Sequence, residues 1–94
     1  MNLAGYHSEE KPVSTKLIFS GEGNVIAIHI KAEEQFKEHI TTVPAFLICV
    51  TGKSVFENEF GFSKQLYTGE TIHIEPNVKH WINAITDCNF VLIK

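Results

Sequence analysis

The chain has 94 residues, 44% of them hydrophobic and 20% charged, with a formal net charge of -3. That length implies one domain over residues 1–94, and the composition excludes a disordered chain. A weakly acidic chain without a basic cluster is a poor partner for nucleic acid, and no apolar run approaches the roughly 20 residues of a membrane-spanning helix.

Residues 1–12 are polar and read as an N-terminal arm or loop, with no apolar core of the signal-peptide kind, so the expected location is cytoplasmic. Val13 to Phe19 is the first apolar stretch, closed by the turn residues Gly21-Glu22-Gly23-Asn24. Val25 to Lys31 follows, with Ile26, Ile28 and Ile30 on one face and Ala27 and His29 on the other, the period-two alternation of a strand. Lys31 to Glu38 has helix-forming composition but is too short to hold a helix unaided, and is expected to be an extended connection or a single helical turn.

Ala45 to Thr51 is nearly continuous in apolar residues, as in a strand covered on both faces. Gly52-Lys53 turns the chain into Ser54 to Phe60, where Phe56 and Phe60 alternate with Glu57 and Glu59. Thr71 to Glu75 runs into the turn Pro76-Asn77, and Val78 to Ala84 and Asn89 to Lys94 complete the chain. Seven or eight short strands at regular spacing predict an all-β sandwich or barrel.

The stretch from Gly69 to His80 carries the most specific signal. A glycine opens a strand, a Pro-Asn turn closes it, and His80 follows three residues beyond Asn77. This resembles the second motif of the cupin family, with Glu70, Glu75 and Asn77 standing for the usual Asp, Pro and Gly. Asparagine is the mildest replacement for glycine at a left-handed turn position. His39 and Gly52 fit the ends of the family's first motif, with Glu33, Thr41 and Ala45 where that motif has Gly, His and Glu. The resemblance spans Leu17 to Ile93 and implies a double-stranded β-helix, or jelly-roll barrel, commonly paired as a homodimer. In the family, three His and one Glu hold a divalent ion (Fe, Mn, Ni or Zn), and here only His39 and His80 remain of that set.

The predicted binding pocket comprises His39, Thr41, Cys49 and His80. His39 and His80 are the candidate catalytic residues and the tentative metal ligands. If odd-numbered residues from His39 to Thr51 face inward, Cys49 shares their side and a His-His-Cys site is conceivable; the alternative is a small core hydrophobe. His29 and His73 read as rim or interface residues, His7 as solvated, and Trp81 as a core or interface residue facing away from His80. All eight cations are Lys. The lack of Arg reflects either coding bias or a site with no bidentate grip on phosphates and carboxylates.

Three functions fit these residues. The first is a small-molecule-binding cupin taking a neutral ligand, with no tightly held cofactor. The second is a metal-independent isomerase or epimerase acting on a sugar or keto compound by acid–base chemistry. The third is a metal-dependent enzyme such as a dioxygenase.

Overall fold

A computed structural model describes residues 2–7 and 10–94. After a 3-10 turn at Leu3–Tyr6 come nine strands: β1 (Val13–Ser20), β2 (Asn24–Ile30), β3 (Gln35–His39), β4 (Ala45–Thr51), β5 (Lys53–Asn58), β6 (Ser63–Tyr67), β7 (Thr71–Ile74), β8 (His80–Ala84) and β9 (Cys88–Ile93). All pairings are antiparallel. One sheet has the order β1-β2-β9-β4-β7 and the other β3-β8-β5-β6. These two sheets face each other as the all-β jelly-roll barrel that the strand spacing predicts.

The alternation in each strand explains the core. Ile28 and Ile30 of β2, Leu47 and Cys49 of β4, Phe90 and Leu92 of β9, and Ile72 and Ile74 of β7 point inward from the larger sheet. Phe56, Leu66, Ile82 and Ala84 meet them from the smaller one. Burying a side chain of this size is worth about 1.5–3 kcal/mol, so this shared layer dominates the stability of so small a barrel.

Two strands go beyond the sequence reading. Of the two forms expected for residues 31–38, the extended one occurs and the helical turn does not. Glu33 takes a positive φ of 67°, its amide bonds Ala84 O, and Ala84 N returns a bond to Glu34 O. Gln35–His39 then pairs with β8. Ladder hydrogen bonds to an already buried strand outweigh a weak intrinsic helix preference. Strand β6 pairs with β5 through Lys53↔Tyr67 to Glu57↔Ser63 although only Leu66 on it is a buried apolar residue. The strand expected to reach Phe60 stops at Asn58, and Phe60 lies 77% exposed in the following turn.

The two ends of the barrel differ. At one, Gly52 has φ 112° and a Cβ there would lie 2.6 Å from Cys88 Sγ, so only glycine lets the chain pass the Cys88 strand. Ser54 Oγ donates to Leu66 O, and Cys88 Sγ to the carbonyls of Lys53 and Thr86, which closes that end. At the other end the turn at Asn77 (φ 62°) docks its amide on Thr41 O, and the sheets part to leave a cavity.

Candidate functional site

The cavity has a volume of about 210 Å³. Its walls are Phe56, Phe62, Ile72, Ile74 and Val78, and its polar groups are Asn58, His73, Glu75 and His80. His80 is the deepest of these, only 4% exposed at the start of β8. Its ring stacks on Phe56 with centres 5.5 Å apart, and its Nδ1 lies 3.3 Å from Val78 O. A backbone carbonyl can only accept, so Nδ1 carries the hydrogen and Nε2 keeps its lone pair. Burial lowers the pKa of His80, outweighing the Val78 hydrogen bond that raises it; His39 and Lys94 lower it further. His80 is therefore a neutral acceptor at pH 7.

His39 approaches from β3 with its ring centre 5.9 Å from that of His80. Its direction depends on a bulge. Phe36 pairs with Ile82 and His39 with His80, an irregular register that inserts an extra residue. Without it, simple alternation would put Phe36 and His39 on opposite faces; with it, both turn toward the same side and their rings lie 5.4 Å apart. His39 remains exposed and lines a separate open groove with Phe36, Glu38 and Pro12. The cavity wall itself includes His80 but not His39.

Thr41 and Cys49 are placed differently. Thr41 is buried at this end, and its hydroxyl donates to Val43 O at 2.7 Å, within its own turn. Cys49 does not line the cavity. Ala45, paired with Ile74, marks the cavity end of β4, and Cys49 lies four residues further on, about 13 Å along the strand. There its thiol sits near Thr51 O and Gly52 O, and burial pushes its pKa up to about 11, followed by smaller effects of Cys88 and Glu70. Trp81 faces away from His80, and its indole N–H donates to Glu57 Oε1 at 3.0 Å on the outer face.

The residues that sequence reading missed are mainly walls: Phe56, Asn58, Phe62, Ile74 and Val78. Cross-strand register supplies them. Asn58 pairs with His80 and Phe56 with Ile82, which no single strand reveals. Asn58 Oδ1 accepts from the amides of Phe60 and Phe62, which holds Phe62 over the cavity, 6.4 Å from Phe56.

Two imidazoles fall short of the three protein ligands that a tightly held catalytic ion needs. The nearby oxygens of Thr41 and Asn58 are already engaged, and Ala45 offers no donor. Among the described residues no three His, Cys, Asp or Glu side chains come together. The donor set around His80 thus does not fit the ion that the cupin resemblance implies.

No family model and no curated protein matches the sequence. Solved structures do match. A cupin superfamily protein from Desulfitobacterium hafniense superposes with a TM-score of 0.85 at 11% identity, covering 98% of this chain and 84% of that one. A cupin-like protein from Thermotoga maritima gives 0.78 at 21% identity, covering 87% and 67%. An RmlC-like cupin protein from Desulfovibrio desulfuricans gives 0.80 at 14%, covering 90% and 83%. The chain therefore has the cupin fold. No helix among the described residues is long and apolar enough to cross a membrane.

Proposed function

We propose that this protein binds a compact, uncharged, hydroxyl- or amide-bearing molecule in the barrel cavity. The observation that carries this reading is His80: buried, held neutral, with Nδ1 turned to Val78 O and Nε2 left as an acceptor. A neutral imidazole acceptor among apolar walls selects an O–H or N–H donor. The cavity, at about 210 Å³, is below the about 300–1,000 Å³ of drug-sized sites. No lysine lines it, and Glu75 stands in its wall. An ionised phosphate or dicarboxylate would lose its hydration there without a cationic partner. A thermal-shift screen at pH 7.5 is expected to favour small neutral polyols, amides and phenols, with the response lost in His80→Ala. Stronger stabilisation by sugar phosphates or dicarboxylates would overturn the proposal.

A second reading, acid–base isomerisation or epimerisation of a small sugar or keto compound, draws support from the 5.9 Å separation of His39 and His80. Its signature is solvent deuterium entering a carbon-bound position of the substrate, abolished in His39→Ala. Pairing of two copies is the proposed assembly. Val25, Ile93 and Phe46 are aligned across β2, β9 and β4 on the outward face, with Val91 and Ile48 beside them. This outward apolar row, rather than the inward Ile26, Ile28 and Ile30, favours a homodimer. Light scattering is expected to show twice 10.6 kDa, falling to the monomer in Phe46→Glu; a monomeric wild type would remove the assembly.

A further inference from the structure

A second pair of histidines lies outside the barrel. The 3-10 turn at Leu3–Tyr6 packs against β2, and His7, which follows it, lays its ring over that of His29. The two ring centres are 5.7 Å apart with planes inclined by 27°. His29 pairs across the sheet with Ser14 of β1 on one side and Asn89 of β9 on the other. Ser14, His29 and Asn89 thus form one row on the outward face, with neighbouring Cβ atoms about 4.5–5.5 Å apart, and His7 lies over its Ser14 and His29 end.

Hydrogen bonding in this row is incomplete in a specific way. His7 Nδ1 lies 2.8 Å from Ser14 Oγ, and Asn89 Nδ2 donates to Thr51 Oγ1 at 3.2 Å. Three atoms remain: His7 Nε2, His29 Nδ1 and Asn89 Oδ1. Each is buried without a hydrogen-bond partner, and among the described residues these three are the whole set of such side-chain atoms. Buried polar groups are almost always satisfied, so an unsatisfied cluster calls for an occupant.

The chemistry of the three atoms narrows that occupant. Asn89 Oδ1 is only an acceptor. Where Ser14 Oγ accepts from His7 Nδ1–H, His7 Nε2 presents a lone pair, the arrangement by which an outer oxygen orients a metal-ligating imidazole. His29 Nδ1 supplies a third when its hydrogen is on Nε2. One water has two hydrogens and cannot donate to three acceptors. A single cation can take a lone pair from each of the three, so it is the species whose chemistry fits them all. Metal–nitrogen bonds of about 2.0–2.1 Å to a tetrahedral ion place two imidazole centres about 5–6 Å apart, and the observed 5.7 Å falls in that range.

We propose that His7, His29 and Asn89 form a divalent-metal site that fastens the N-terminal arm to the outer face of the barrel. Two imidazoles and an amide oxygen suit a borderline ion such as Zn²⁺ or Ni²⁺, with a water in the remaining position. His7 is kept in its neutral, ligating form chiefly by burial, then by His29 and Lys16. The Lys16 charge opposes a bound cation and limits the affinity.

The test is calorimetric titration of Zn²⁺ into chelator-stripped, tag-free full-length protein. One equivalent is expected to bind. His7→Gln and His29→Gln should each weaken binding at least tenfold, Asn89→Leu several-fold, and His80→Ala not at all. Bound Zn²⁺ should also slow amide hydrogen exchange around His7, a change absent in His29→Gln. No saturable uptake by the wild type would overturn the site and leave water as the occupant. Uptake kept in both His7→Gln and His29→Gln but lost in His80→Ala would overturn it in favour of the barrel interior. Neither result bears on the neutral-ligand reading of the cavity, which the thermal-shift screen tests separately.

Discussion

The chain holds two histidine pairs at nearly the same spacing, 5.9 Å between the ring centres of His39 and His80 and 5.7 Å between those of His7 and His29. Their surroundings set them apart. At the cavity, His80 has one nitrogen tied to a carbonyl, and the oxygens of Thr41 and Asn58 are spent on turns. On the outer face, two ring nitrogens and an amide oxygen are buried without a hydrogen-bond partner among the described residues. The separation of two imidazoles does not define a site; the hydrogen-bond state of their neighbours does. On the readings proposed above, the cavity around His80 takes an uncharged organic ligand and the exterior trio takes a cation.

The largest effect expected is one that breaks both regions together. Phe90 is fully buried and adjoins Asn89 on β9, so it supports the outer row and the barrel core at once. Phe90→Ala is expected to cost about 3–5 kcal/mol of unfolding free energy in urea and to abolish both ligand and metal binding. A loss below about 1 kcal/mol would show that the core is not shared.

pH separates the regions next. Burial holds the folded pKa of His80 below the ordinary histidine value of about 6.5. Between that folded value and 6.5 the unfolded chain binds more protons than the native one. The contribution of His80 is thus complete above about pH 6.5 and is lost as pH falls below it, with a slope of at most about 1.4 kcal/mol per pH unit. His80→Phe, which keeps a ring against Phe56, should flatten the decline of stability between pH 7 and 5 and remove the response to neutral ligands. An unchanged pH profile would place the titration elsewhere. His7 shifts in the same direction, so His7→Gln should flatten the profile further without touching the cavity.

The smallest effect is expected at the closed end. Cys49→Ala should cost about 1 kcal/mol and leave the ligand response intact, since Cys49 does not line the cavity. Its thiol, with a pKa raised to about 11, should react with a disulfide reagent at pH 8 only after unfolding. A cavity response lost in Cys49→Ala would bring that residue back to the site.

Much of this molecule was legible in the sequence because strands declare themselves locally. The Ile26-Ile28-Ile30 alternation, the apolar run from Ala45 to Thr51 and the Gly69-to-His80 stretch are periodic patterns with turn residues at their ends, and each became a strand or a turn. Asn77 does take the left-handed conformation for which asparagine is the natural substitute. Strands β3 and β6 were not legible, since polar edge strands owe their conformation to the ladder of a neighbour.

The sequence by itself determined an all-β barrel with one histidine at a motif position inside it. Side-chain period and turn chemistry are properties of adjacent residues, so they can be read along the chain. Tertiary structure decided which side chains meet. A bulge turned His39 toward His80, four residues of strand carried Cys49 away from both, and Phe62 came to lie beside Phe56 from another strand's turn. It also brought His7, which reads as solvated in the sequence, across to Ser14 and His29. Contacts of that kind depend on register between strands distant in sequence. One residue of slip exchanges the two faces of a sheet, and no local pattern specifies it.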